Sequence, residues 1–127
     1  MDLNKFKTMI SETVVQPMLD YMKSFEEDGE ECGYAKEHIE KCAALLLDYV
    51  NALAAIGEPN DEAIMEQIQS VVLALNELNE ETDFAMIETD EREALCEVIQ
   101  TAAVECGLSD ACVEENDGDV TGEWREW

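Results

Sequence analysis

The sequence predicts an all-α protein: a four-helix up-and-down bundle over residues 1–113, followed by a flexible acidic tail over residues 114–127. Three observations carry that expectation. Apolar residues recur at steps of three and four through four separate stretches, which marks helices with one buried face. The stretches are separated by glycine, proline and capping residues in short links, which favours antiparallel neighbours. No run of alternating apolar and polar residues suggests a sheet.

The first stripe is Leu3, Phe6, Ile10, Val14, Met18, Tyr21 or Met22, and Phe25. Pro17 interrupts it. Proline lacks a backbone donor and clashes with the preceding turn, so a kink or a break into two helices is expected there. Glu26 to Glu31, with Gly29 and Gly33, reads as a loop. The second stripe, Ile39, Cys42 or Ala43, Leu46, Tyr49 or Val50, Leu53 and Ile56, is the clearest helix and stops at Gly57 and Pro59. Asn60 or Asp61 can cap the third helix, whose stripe is Ile64, Ile68, Val71 or Val72, Leu75 and Leu78. Between Thr82 and Glu88 the pattern is ambiguous, but Phe84, Met86 and Ile87 are expected to be buried. Asp90 with Glu93 suggests a capping box for the fourth helix, with Leu95, Val98 or Ile99, Ala102 and Cys106 as its stripe. Gly107 ends it, and Ser109 or Asp110 can cap a further short turn. The expected core centres on Leu46, Leu53, Ile68, Leu75, Leu95 and Ile99.

The chain has 127 residues, 46% of them hydrophobic. That is enough for one core, and it argues against a wholly disordered acidic chain. The charge is far from ordinary. Thirty-two acidic residues against seven basic ones give a formal charge of −25, whereas a small domain is comfortable at a magnitude of about 2–8. Like charge on this scale opposes folding by self-repulsion. It also argues against direct contact with nucleic acid or acidic lipid. No segment has the length and hydropathy of a membrane span, and the N-terminus runs straight into an amphipathic pattern without the apolar core of a secretory signal. Five cysteines without framework spacing, Cys32, Cys42, Cys96, Cys106 and Cys112, are expected as reduced thiols. Together these point to a cytoplasmic protein.

Candidate chemistry is sparse. His38 and Cys42 share a helix face and, with Cys32, offer a zinc-like set, but there is no Cys-x-x-Cys pair and a fourth ligand is missing. The same histidine and cysteine could act as base and nucleophile, but acidic surroundings disfavour a thiolate. Asp117-Gly118-Asp119-Val120-Thr121-Gly122 resembles the first half of a calcium-binding EF-hand loop without its closing glutamate. Neither a Glu-x-x-His motif nor a glycine-rich phosphate loop occurs. No catalytic, cofactor or metal residue is therefore assigned, and an enzyme is not expected. Trp124 and Trp127 read either as fold-back contacts with the bundle or as an aromatic anchor for a partner.

Charge placement is more informative. Glu26, Glu27 and Asp28 cluster near the end of the first helix, and Glu77, Glu80 and Glu81 near the end of the third. Helix C-termini favour cations by about 0.3–1 kcal/mol each at exposed sites, so both clusters oppose the helix dipole. Glu77 and Glu81 also form a like-charge pair one turn apart. The lysines lie early in the chain, and beyond Lys41 only Arg92 and Arg125 offset the acidic residues. Sites where local rules fail are where function is expected. These six carboxylates are accordingly the expected contact for a basic protein surface, such as a toxin, a nuclease or a nucleic-acid-binding protein. The function expected is a non-catalytic inhibitor or immunity-type protein. Three other accounts are a nucleic-acid mimic, a small metal-binding or hydrolytic bundle, and acidity that serves solubility or adaptation to salt.

Overall fold

Asp2 opens the first helix by accepting the Lys5 amide on its side chain at 3.1 Å. From there a computed structural model describes the whole chain, Met1–Trp127, as helices without strands. These are α1 (Leu3–Ile10), a π-helical turn (Ser11–Val15), α2 (Gln16–Glu27), α3 (Lys36–Ala54), α4 (Asp61–Glu81), α5 (Thr89–Cys106) and α6 (Asp110–Glu115). Of the kink or break expected at Pro17, the break does not occur. Backbone dihedrals stay helical from α1 through the π turn into α2, and the Gln16 amide donates to the Ser11 carbonyl five residues back. Widening the turn just before proline is one way a helix accommodates a missing donor and a bulky ring. The Thr13 hydroxyl donates back to the Met9 carbonyl at 2.7 Å within the same stretch.

The stripes read from the sequence face one core. Phe6, Ile10, Val14 and Met18 meet Ile39, Cys42, Leu46 and Leu53 of α3, and Ile64, Ile68, Val72 and Leu75 of α4 and Leu95, Val98 and Ile99 of α5 complete it. The six residues expected at its centre are no more than 1% exposed. Two pairs of helices, α3 with α4 and α1 with α5, run in opposite directions. Lys41 near the start of α3 pairs with Glu81 at the end of α4, and Lys5 of α1 pairs with Glu105 at the end of α5. The Tyr49 hydroxyl donates to the Ile99 carbonyl at 2.7 Å, tying α3 to α5 through the core.

The starts of α1, α4 and α6 carry side-chain caps, whereas α3 and α5 start from Ala35 and Glu88 without one. Asn60 caps α4 by accepting the Ala63 amide at 2.9 Å, and Ser109 caps α6 by accepting the Cys112 amide at 3.1 Å. Helix α5 begins two residues earlier than the Asp90–Glu93 box implies. Glu88 occupies the cap position without a side-chain bond, and Asp90 and Glu91 lie in the first turn, where anions suit the dipole.

The C-terminal segment corrects the sequence-based expectation most. Residues 114–127 are not a loose tail. Val120 and Thr121 are fully buried and Trp127 is 9% exposed. The Asn76 side chain, buried on α4, donates to the Trp124 carbonyl at 2.8 Å and accepts the Glu126 amide at 3.0 Å. Gln100 of α5 accepts the Val120 amide, and Cys96 of α5 lies 3.4 Å from the Thr121 hydroxyl. Arg125 binds Asp119 and the Trp127 carbonyl, each at 2.9 Å, and lies over the Trp127 ring. The segment therefore straps the seam between α4 and α5.

Candidate partner-binding surface

The two acidic clusters sit at helix C-termini that lie at the same pole of the molecule. Helix α2 ends at Glu27, α3 starts from that pole at Lys36, and α4 returns to it at Glu81. The loops that close the pole press together: a Cβ at Gly33 (φ +95°) would come within 2.7 Å of the Ala85 Cβ. Gly33 is thus fixed both by a left-handed backbone and by the opposing loop.

All six carboxylates singled out in the sequence are exposed. They fall on two sides of the first turns of α3. Glu26, joined by Glu30 and Glu31, lines a cavity of about 560 Å³ that Met22, Tyr34 and Lys36 also border. Glu77 and Glu81 line a groove between α3 and α4 with Lys41, Leu45 and Asp48. Glu27, Asp28 and Glu80 are exposed at the same helix ends but line neither hollow. Lys41 is the only basic residue lining the groove, and its contact with Glu81 at 3.3 Å is between two largely exposed groups, so it offsets little.

Phe84 was expected to be buried and is not. It is 57% exposed, while its neighbours Met86 and Ile87 are buried. Asp83 and Phe84 both adopt left-handed backbone, with φ of 54° and 63°, a conformation costly for a bulky residue. The surrounding hydrogen bonds enforce it. The Phe84 amide donates to the Asn79 carbonyl at 2.8 Å, the buried Asn79 side chain accepts the Ile87 amide at 3.0 Å, and the buried Thr82 hydroxyl accepts the Met86 amide at 3.2 Å. An aromatic ring is thus held outward on a hydrogen-bonded turn that follows Glu80, Glu81 and Asp83 in the chain. Hydropathy alone gave no signal for it. Asn79, Thr82 and Asp83, residues that favour turns, are the sequence cue.

The reactive candidates are otherwise engaged. Cys42 lies in the core, fully buried, and burial pushes its thiol up to about 12, which leaves it inert as a nucleophile. Cys32 and His38 both border the 560 Å³ cavity. The Cys32 thiol donates to the Tyr34 carbonyl at 3.2 Å, and His38 Nδ1 accepts the Ala35 amide at 2.9 Å, closing the start of α3. No set of three His, Cys, Asp or Glu side chains is placed to hold a metal ion. In the EF-hand-like stretch, Asp119 is committed to Thr121 and Arg125. Partial burial raises its pKa, but those partners outweigh burial and hold the carboxyl below its ordinary range. The five cysteines are all free thiols.

No helix is long and apolar enough to cross a membrane. The chain matches no protein-family model, no curated protein and no solved structure.

Proposed function

We propose that this is a non-catalytic, cytoplasmic binding protein that neutralises a basic partner protein, in the manner of an inhibitor or immunity protein. We further infer that its four long helical segments form an up-and-down bundle, supported by the opposed directions of α3 and α4 and of α1 and α5. The partner docks at the pole where Glu26, Glu27, Asp28, Glu77, Glu80 and Glu81 gather. The observation that carries this function is Phe84, an exposed aromatic ring held in a costly backbone conformation just after Glu80 and Glu81 in the chain. Interface energy concentrates in a few aromatic anchors surrounded by polar rims. Electrostatic complementarity supplies the approach, and the aromatic ring supplies the grip once water is excluded. The carboxylates oppose their own helix dipoles, so folding stability gives no reason to keep them there.

The test compares three immobilised proteins in a pull-down from the native host, read by mass spectrometry. These are the parent, a variant with the six carboxylates changed to their amides, and Phe84→Ala. The expected outcome is a basic protein retained by the parent, eluted by salt and lost from both variants. Retention of the same proteins by all three would overturn the proposal.

A further inference from the structure

The groove beside Glu77 and Glu81 continues along the molecule. A second hollow of about 280 Å³ shares Leu45, Asp48 and Ala74 with it and extends to Ala52 and Gln67, so one open seam follows α3 and α4. We propose that this seam is the seat of a cationic amphipathic helix from the partner protein. The inference rests on the basic-partner function above and adds the form of the partner.

Three properties of the seam specify the occupant. From Gln67 to Glu81 α4 rises about 21 Å at 1.5 Å per residue, which matches a helix of about four turns. Its floor is apolar and partly small, with Ala44, Leu45, Ala74 and Leu78, so a second helix can approach closely. Its rim is acidic on both edges, Asp48 on α3 and Glu77 and Glu81 on α4, against the single cation Lys41. The complement is a narrow stripe of alanine and leucine flanked on both sides by lysine or arginine, whose apolar stems cover the floor while their charges reach the rim. A second copy of this chain would bring a charge of −25 to the same place. The chain's own C-terminal segment is already seated on the opposite seam, between α4 and α5.

The probe is a synthetic amphipathic peptide of about four turns with that pattern, compared with a scrambled peptide of identical composition. Amide chemical shifts of the full chain are followed during titration, and sedimentation fixes the protein's own state. The ordered peptide is expected to bind at least tenfold tighter than the scrambled one, to shift the amides of Leu45, Asp48, Ala74 and Leu78, and to leave the protein monomeric beforehand. Ala74→Arg, which fills and recharges the floor, should remove that tenfold preference. Ser70→Arg at an exposed position of the same seam is the alternative if the first variant does not fold. Equal binding of both peptides, or shifts confined to residues 26–31, would overturn the seam while leaving the acidic pole intact as a docking site. Binding by neither peptide would overturn the seam, while the pull-down above decides the acidic pole separately. A dimer abolished by Ala74→Arg would assign the seam to a second copy and overturn the helix proposal.

Discussion

Helix α4 has two long seams, and the protein treats them differently. On the α5 side the seam is closed by the chain itself: Val120, Thr121 and Trp127 are buried, and Asn76 bonds the strap's backbone twice. On the α3 side the seam is open, and its rim is charged. Where the strap lies, the half-buried carboxylate of Asp119 is matched by Thr121 and Arg125. Along the open seam Asp48 and Glu77 have no basic residue bonded to them, and Lys41 reaches only Glu81. A seam filled by the protein's own chain can satisfy its charge internally. An open, unmatched one leaves that charge to a partner.

The largest expected effect comes from breaking the closed seam. Deleting residues 120–127 removes buried Val120 and Trp127 and should destabilise the fold by about 4 kcal/mol or more, on the scale of losing a buried aromatic side chain. Denaturant unfolding measures it, and an unchanged midpoint would return the segment to the status of a tail. Asn76→Ala keeps the strap but strands the Trp124 carbonyl and the Glu126 amide. It should cost about 1–3 kcal/mol and speed amide exchange across residues 120–127 ahead of the rest of the chain.

At the open, acidic end the sign changes. Phe84→Gly relieves left-handed strain but loosens the unfolded chain, and those terms nearly cancel, so stability should move by about 1 kcal/mol or less. Partner binding should nevertheless weaken at least tenfold. A large loss of stability would mean that the ring packs within the fold.

The smallest expected effect is in the pH profile. Burial, reinforced by Glu88 and Asp90, outweighs local hydrogen bonds and raises the Glu91 pKa. Its contribution is therefore present at low pH and lost as pH rises through the folded value. Asp61, held low by the Ser109 hydroxyl and amide, and Asp119 in the strap have the opposite sign. Their contribution is present above the ordinary carboxylate range and lost as pH falls through their lowered values. Stability should thus gain from Glu91 as pH falls toward the ordinary glutamate range, and lose from Asp61 and Asp119 as pH falls below the ordinary aspartate range. Glu91→Gln should flatten the first limb and Asp119→Asn the second, both read by thermal melts across a pH series.

Much of the fold is legible in the residues. The stripe from Ile39 to Leu53 and the one from Ile64 to Leu78 state a helical period outright, and the caps at Asn60 and Ser109 follow from side-chain chemistry. Other features depend on packing that no local pattern carries. The π turn before Pro17 redistributes hydrogen bonds over one turn and leaves the apolar spacing on either side intact. The strap looks like a tail because Val120, Trp124 and Trp127 are too few to form a period, while the acidic residues around them dominate its composition. The convergence of Glu26–Asp28 and Glu77–Glu81 on one pole follows from α2 and α4 both ending where α3 begins. Phe84 was illegible because hydropathy assigns a phenylalanine to the core, whereas the bonds from Asn79 and Thr82 turn it outward.

The most direct measurement is stopped-flow association of the cationic amphipathic peptide with the parent and with the Glu77→Gln, Glu80→Gln, Glu81→Gln variant, across a salt series. The parent's association rate should fall steeply as salt screens the pole. The variant should associate several-fold more slowly at low salt, converge with the parent at high salt, and be as stable or slightly more so. Equal rates for the two proteins, insensitive to ionic strength, would contradict the assignment of this charge to partner binding.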